Sequence, residues 1–370
     1  MLKNASTIVG NFFAESQYFG RSTIDEQDCE LMLCVDRDVP NEVMVHYWTR
    51  EITEAVLLEF VDASLDDATL RPKQWFTPSQ IGSIQIAQFD EATRKRLAGY
   101  SVRLRRTGAG YVGELLHESG KSAPITIDAP MNLRVNATPC NTWQDLKKWA
   151  DKLRGSGHVY RGHGQSQFKL KSSFHRTERA RIERFIADVV PRFHSHAEAV
   201  LRTRINLQDA RDMAMLMGLA QHHGLPTPLL DWTESPYVAA FFAFTDAIAN
   251  KSSGATHVRI YSLASAFLSR WNTPNVTLDF VVPYVVPFRV SPYLNDRIYA
   301  QRGLFLVSNV VDLESYVLSV DMSALQAVDI PITCADDALD DLAHMGITHA
   351  SLFPGLDGVC RTLAYEMRRP

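Results

Sequence analysis

The side chains best suited to chemistry are concentrated in residues 221–236. Two histidines, His222 and His223, precede a Gly-Leu-Pro-Thr-Pro segment, and residues 229–236 then read Leu-Leu-Asp-Trp-Thr-Glu-Ser-Pro. Ser235 followed by a proline is typical of a helix N-cap and its first helical residue. The stretch therefore predicts a buried strand that turns into an apolar helix, a corner where unpaired N–H groups can contact a ligand. The alternative is an ordinary core strand with a satisfied turn.

Two other segments carry groups that could act together with this corner. Arg161 lies in a short strand-like run and is followed by Gly162 and a second glycine, which would let the backbone approach a phosphate. Gln301 comes just before a strand-like run at 303–307. The alternative for Arg161 is a buried structural ion pair.

Length and composition predict a globular protein of two domains. The 370 residues are 46% hydrophobic and 22% charged, and the net charge of −4 carries no signature of polyanion binding. Residues 1–137 are predicted to form a β-rich domain of unknown role, with Arg103 and Arg105 on one face of a strand. That face is interpreted as solvated, or alternatively as a surface for anions or nucleic acid. The strands are predicted at 31–35, 42–48, 55–60, 100–106 and 111–115, with a hairpin turn at 107–110.

Residues 138–370 mix helical and strand-like patterns, which predicts an α+β domain. The arginines of 176–184 lie among glutamates, which favours a solvated helix face over a nucleic-acid patch. The predicted helices cover 143–153, 176–200, 209–223 and 236–250, and the predicted strands cover 158–164, 257–261, 278–282, 303–307 and 316–320.

Cysteine usage and hydropathy predict a cytoplasmic protein that contacts no membrane. The five cysteines are scattered, and none forms a Cys/His cluster with zinc spacing, so reduced thiols and no metal are expected. The first residues carry no signal-peptide pattern. The apolar run at 238–244 is too short to span a bilayer.

Three motifs, taken in order, resemble the FRG domain, which is named for its aromatic-Arg-Gly motif. They are Tyr160–Gly162, Gln221–Thr233 and Arg297–Phe305, and the closing Ser351–Gly358 fits the same family. The resemblance covers about residues 140–370. The family usually carries arginine where this chain has Pro228, which implies that anion binding is reduced or relocated here.

The FRG arrangement in turn resembles a divergent ADP-ribosyltransferase fold with a split mixed sheet. This resemblance implies NAD as substrate, held in a cleft and cleaved through a cationic sugar. The resemblance implies that Arg161 binds a phosphate or ribose and that Trp232 stacks on a ring. It also implies that Thr233 hydrogen-bonds a ribose and that Gln301 holds the reacting hydroxyl. The implied catalytic residues are Arg161, Gln301, Asp231 and His222, and the implied cofactor-binding residues are Arg161, Gly162, Trp232, Thr233 and Gln301.

Each implied role has a competing interpretation. Gln301 can orient a hydroxyl but cannot act as a general base, so Asp231 and Glu234 are the carboxylates that could supply charge; both could instead cap a helix N-terminus. His222 and His223 could deprotonate an acceptor or serve a helix C-terminus.

These features favour a mono-ADP-ribosyltransferase, a toxin-like or phage-defence effector that modifies a protein or nucleic acid. The alternative is a non-catalytic module that binds a nucleotide or nucleic acid through the same cleft. A His/Asp hydrolase is the weakest interpretation, because the sequence has no nucleophile elbow. The oligomeric state is left open.

Overall fold

Two β-sheets organise the chain. The computed structural model describes residues 12–24, 27–80, 83–250, 254–271, 278–288, 290 and 296–367. The first sheet draws its strands from residues 17–86 and 100–127, and the second from residues 138–331. The predicted division at 137/138 falls between them and stays a prediction. The start of the chain, where no signal peptide is expected, lies outside the described residues.

The first sheet is antiparallel and closes on itself. Its described strands follow the order β4-β3-β2-β1-β9-β8-β7-β5, and β4 pairs with β5 to complete an eight-stranded barrel. A ninth strand, β6, extends the sheet from β5, and helix α1 follows it. The strands are β1 Gln17–Ile24, β2 Gln27–Cys34, β3 Glu42–Trp48, β4 Thr53–Ala63, β5 Asp67–Pro78, β6 Ile84–Ile86, β7 Tyr100–Thr107, β8 Gly110–His117 and β9 Ser122–Ile127; the helix is α1 Glu91–Ala98.

Alternation of side chains explains why these segments form strands. In β2, Leu31 and Leu33 face the barrel interior, whereas Met32 and Cys34 pack in a separate cluster outside it. The predicted hairpin is confirmed, because Thr107 pairs with Gly110 and Gly108 has a φ of 64° that suits glycine in the turn.

The second sheet is mixed, as the sequence predicts. Its described strands follow the order β10-β16-β13-β11-β12-β15-β14, and β10–β16 is the parallel pair. The strands are β10 Thr138–Pro139, β11 Val159–His163, β12 Leu229–Thr233, β13 His257–Leu263, β14 Val285–Phe288, β15 Gly303–Ser308 and β16 Leu325–Pro331.

Helices cover both faces of this sheet and connect its strands. The apolar helix α7 begins where it is predicted, with Ser235 as N-cap accepting from the Val238 N–H at 3.3 Å. The helices are α2 Trp143–Lys152, α3 Ser173–Arg176, α4 Ile182–Arg184, α5 Val190–Leu201, α6 Ala210–His222, α7 Pro236–Ala249, α8 Ser265–Leu268, α9 Asp296–Ala300, α10 Leu313–Val320, α11 Ala335–His344, α12 His349–Leu352 and α13 Leu356–Glu366, with a π-helix at Phe185–Val189 and 3₁₀ turns at Ser269–Trp271 and Ile332–Cys334.

Two predicted strands are wrong. Residues 316–320 belong to helix α10, which begins at the Asp312 cap. Residues 278–282 form no strand, because the Asn309 amide donates to the carbonyls of Phe280 and Val282 at 3.0 and 2.9 Å. The Asn309 side chain thus donates to carbonyl groups that would otherwise accept hydrogen bonds from a neighbouring strand.

Asp36 of the barrel joins the two sheets. Its side chain is fully buried and accepts from the N–H groups of Ala180 and Arg181 at 2.8 and 2.9 Å, and also from the Arg184 guanidinium. A buried carboxylate needs such a set of donors, because burial without them costs several kcal/mol. Asp36 therefore fixes the segment before α4 against the barrel.

The predicted solvated helix face at 176–184 is wrong for most of its arginines. Arg179 pairs with Asp38 at 2.9 Å, and Arg181, which is 4% exposed, pairs with Glu42 at 2.8 Å. Asp38 lies in the turn after β2 and Glu42 begins β3, so these charges connect the barrel to the segment that precedes α4. Residues 177–181 of the predicted helix are also not helical; α3 ends at Arg176 and α4 begins at Ile182.

Candidate functional site

The candidate site is a cavity where the second sheet splits. The described residues of β11 and β12 pair at a single position, Tyr160 with Thr233, whereas β11 and β13 pair at five. Beyond the Tyr160–Thr233 pair the two strands separate, and a cavity of about 660 Å³ opens there. This volume lies within the range of about 300–1,000 Å³ that is usual for small-molecule sites.

The cavity brings together all the implied catalytic and cofactor-binding residues, whereas the alternative candidates His223 and Glu234 are not part of its lining. Its lining includes Arg161, Gly162, His222, Asp231, Trp232, Thr233 and Gln301. These residues come from β11, the end of α6, β12 and the segment entering β15. The functional roles assigned to them stay predictions.

Arg161 bridges the split between the strands. Its guanidinium donates from Nη1 to the main-chain carbonyl of Asp231, and the Asp231 carboxylate lies 3.7 Å from the same nitrogen. The side chain is 16% exposed, and burial lowers the pKa of Arg161 while the Asp231 carboxylate opposes this shift. An arginine in such surroundings keeps its charge, so the split strands hold a fixed cation at the cavity wall.

His163 orients the Arg161 guanidinium through a hydrogen bond. Its Nε2 accepts from Arg161 Nε at 3.2 Å, so the ring proton is on Nδ1, which lies 3.3 Å from the Phe168 carbonyl. Burial, and then the neighbouring Arg161 charge, hold the pKa of His163 well below its usual value. The histidine is therefore neutral, and it acts here as an acceptor that aligns the guanidinium. Sequence reasoning missed this residue, although its position two places after Arg161 puts it on the same strand face.

Asp231 is held by a chain of side-chain hydrogen bonds. Gln221 Nε2 donates to Asp231 Oδ2 at 2.9 Å, and Gln221 Oε1 accepts from the Thr227 hydroxyl. The Asp231 side chain is 59% exposed and lines the cavity. Asp231 therefore presents a positioned carboxylate and does not cap the helix that follows, because Ser235 has that role.

Thr233 and Gln301 make contacts within the chain. The Thr233 hydroxyl donates to the Gln301 main-chain carbonyl at 2.8 Å and accepts from the Ser235 N–H at 3.1 Å. The Gln301 side-chain amide donates to the Leu352 carbonyl at 3.1 Å. Both side chains thus fasten the loop before β15, and an acid at position 301 could not make the same bond because it lacks the N–H donor.

Trp232 is a core residue that reaches the cavity. It is 3% exposed and packs in a cluster with Leu230 and Leu304. Stacking of its ring on a ligand stays a prediction. Its buried Nε1 has no hydrogen-bond partner among the described protein residues.

Position 162 requires a glycine because a helix packs closely against it. A Cβ at this position would lie 2.0 Å from the Ala239 carbonyl of α7, and one at Gly164 would lie 2.3 Å from Asp246 Oδ2. Both glycines therefore allow α7 to lie directly against β11. The sequence interpretation, which linked these glycines to a phosphate, did not include this reason.

Two further guanidinium groups line the cavity. Arg176 follows β11 in the chain and ends α3, and Arg297 of α9 lies 5.2 Å from the centroid of the Phe353 ring. Together with Arg161 they give three cations, against the carboxylates of Asp231 and Asp246. The excess of positive charge favours an anionic ligand. The Arg297 signal was present in the sequence, since it opens the third motif, whereas Arg176 was hidden in the charged run that follows β11.

Comparisons with known proteins bear on part of this site. The FRG domain model matches residues 156–252, a stretch that contains β11, α6, β12 and α7. This match confirms the FRG resemblance for the first two motifs, and Gln301 lies beyond it. No curated protein and no solved structure matched the chain.

Two kinds of structure are absent from the described residues. No described helix is long and apolar enough to cross a membrane. No group of three or more His, Cys, Asp or Glu side chains lies close enough together to hold a metal ion in the described part of the chain.

Proposed function

We propose that the cavity binds a dinucleotide of the NAD class and that the protein transfers its ADP-ribose to a protein or nucleic acid. The observation that carries the proposal is the set of three guanidinium groups, on Arg161, Arg176 and Arg297, around a cavity of about 660 Å³. Guanidinium groups bind phosphate oxygens in pairs of parallel hydrogen bonds. The negative charge of a pyrophosphate therefore complements the positive charge of these three guanidinium groups.

Arg161 is the phosphate contact with the best-defined geometry. Its Nη1 and Nε are held by the Asp231 carbonyl and by neutral His163, so the remaining N–H groups have a fixed direction. Such a preorganised cation loses little conformational freedom when a ligand binds. Arg176 is exposed and Arg297 half-buried, so they supply charge at the rim.

The order of the site supports ADP-ribosyl transfer as the reaction. Arg161 and Asp231 lie in β11 and β12, Gln301 lies just before β15, and these three strands are consecutive in the sheet. In the reaction the nicotinamide–ribose bond breaks, nicotinamide leaves with the electron pair, and an acceptor nucleophile bonds to the ribose carbon and gives up a proton. The exposed Asp231 carboxylate can stabilise the cationic sugar. His222, at the end of α6, lines the cavity and is the group to which we assign the removal of this proton.

The test is nicotinamide release and label transfer by the purified full-length protein. The protein is incubated with NAD labelled in the adenylate part, with and without cell lysate, beside Arg161→Ala and the control Arg211→Ala, which changes an exposed arginine of α6 outside the cavity. The proposal expects release and transfer by wild type and Arg211→Ala and loss of both by Arg161→Ala. Equal signals from all three proteins, or none, would show that this site does not catalyse the transfer.

A non-catalytic nucleotide-binding module is the second candidate. It is favoured by Gln301, whose amide is tied to the Leu352 carbonyl, and by Pro228 in place of the usual arginine. Calorimetry with NAD, ADP-ribose and short RNA and DNA separates the candidates. Binding that Arg161→Ala weakens, without nicotinamide release, supports the binding module. Absence of binding to every ligand overturns both proposals.

A further inference from the structure

The barrel contains a second cavity, outside the residues that match the FRG domain model. It measures about 290 Å³ and is bounded by alternate residues of the barrel strands, among them Leu33, Val45, Val56, Leu104 and Ile125. An eight-stranded barrel is either filled by side chains or wide enough to hold one small ligand. An apolar cavity of about half this volume already admits an aromatic molecule and excludes water.

The two ends of this cavity differ. At one end, Phe12 and Phe13 pack edge-to-face at 5.0 Å and contact Phe60 and Tyr111, so aromatic rings close it. At the other end lies α1, whose residues Thr93 and Leu97 line the cavity although the helix has no buried residue. An entrance covered by a weakly packed helix can open with little loss of contact.

Polar groups lie at the α1 end. The Tyr47 hydroxyl donates to the Glu54 carboxylate, and both residues line the cavity. Burial, followed by the bond to Glu54, raises the pKa of Tyr47, which therefore stays protonated. Arg96 of α1 also lines this end but is exposed, so water screens its charge. A carboxylate with free lone pairs accepts hydrogen bonds and repels anions.

We infer that the barrel binds a small apolar molecule that carries one hydrogen-bond donor, with its apolar part in the barrel interior and its donor at Glu54. The occupant enters under α1. A neutral alcohol or secondary amine satisfies these requirements, whereas a fatty acid places its carboxylate against that of Glu54.

The experiment uses N-phenyl-1-naphthylamine as a fluorescent probe of the full-length protein. This neutral amine brightens on entering an apolar site, and the expected result is saturable binding of one probe per protein. Decanol should displace it more strongly than decanoate in wild type, and Glu54→Gln should reduce that preference by removing the like charge. No saturable binding up to the solubility limit of the probe, or a preference for decanoate in wild type, overturns the inference.

Cavity-filling variants locate the bound probe. Val45→Phe places a ring inside the barrel, and we expect the affinity to fall by about tenfold or more, a change of 1.4 kcal/mol or more in binding. Val61→Phe is the matched control, because Val61 is 54% exposed on the outside of β4. If Val45→Phe does not fold, Leu115→Phe serves as the second filling variant. Unchanged probe affinity in a folded filling variant would place the probe elsewhere and refute the inference.

Discussion

Replacing Arg161 by lysine keeps the charge at the split of the sheet but removes the planar fork. The guanidinium makes two hydrogen bonds within the chain, from Nη1 to the Asp231 carbonyl and from Nε to His163 Nε2. A lysine ammonium can reach one of these acceptors but not both in the same geometry. The substitution therefore removes one charged hydrogen bond from a side chain that is 16% exposed.

The loss of this hydrogen bond lowers the free energy of unfolding. A hydrogen bond to a charged group contributes about 1.5–3 kcal/mol, and the acceptor left behind is buried with His163, which is 4% exposed. We expect the free energy of unfolding to fall by about 2 kcal/mol. If the same fork holds a phosphate, the affinity for ADP-ribose should fall by roughly tenfold to a hundredfold.

Urea denaturation monitored by tryptophan fluorescence gives the first quantity, and isothermal calorimetry with ADP-ribose gives the second. Arg211→Lys, on the exposed face of α6, is the matched control and should change neither. An Arg161→Lys protein as stable as wild type would refute the role given to the two hydrogen bonds. A destabilised protein with unchanged ADP-ribose affinity would instead support the purely structural interpretation of Arg161.

Three further predictions concern pH, the contact between the sheets and the loop before β15. Burial lowers the pKa of His46 to about 4 and that of His175 to about 3. Both stay neutral in the fold, so below about pH 6.5 the unfolded chain takes up their protons first. The free energy of unfolding should therefore fall by about 1.4 kcal/mol per pH unit for each of them as the pH drops towards 4. Urea titrations at several pH values check this, and His46→Leu should make the free energy of unfolding depend less steeply on pH. A free energy of unfolding that does not change with pH contradicts the prediction. Asp36→Ala should lower the free energy of unfolding by about 3–5 kcal/mol, because it leaves buried donors and a cation without their acceptor. The control Asp62→Ala, at an exposed site of β4, should leave the urea midpoint unchanged. Equal midpoints for the two variants would disprove the role of Asp36. Gln301→Glu should cost about 1–2 kcal/mol by losing the amide donor, and a thermal-shift measurement that finds it as stable as wild type would show that this bond is unimportant.

Local patterns were sufficient for much of the fold. Alternation of apolar residues located most barrel strands, and the Ser235–Pro236 pair located the start of α7, because both signals depend on neighbours in the chain. The same reasoning failed at 316–320, where a short apolar run suits a strand or a buried helix equally well. It also failed at 278–282, where the partner of the backbone is the Asn309 side chain.

The sequence by itself determined which residues are candidates for the site, and only the tertiary structure decided how they are arranged. Motif order pointed to Arg161, Asp231 and Gln301, and all three line the same cavity. A split sheet was implied by the family resemblance, but the sequence could not locate the split between β11 and β12 after one pair. Nor could it indicate that neutral His163 aligns Arg161, or that the arginines at 179–184 pair with carboxylates about 140 residues away. Pairings of this kind depend on which distant groups burial brings together, and residue spacing along the chain carries no information about that.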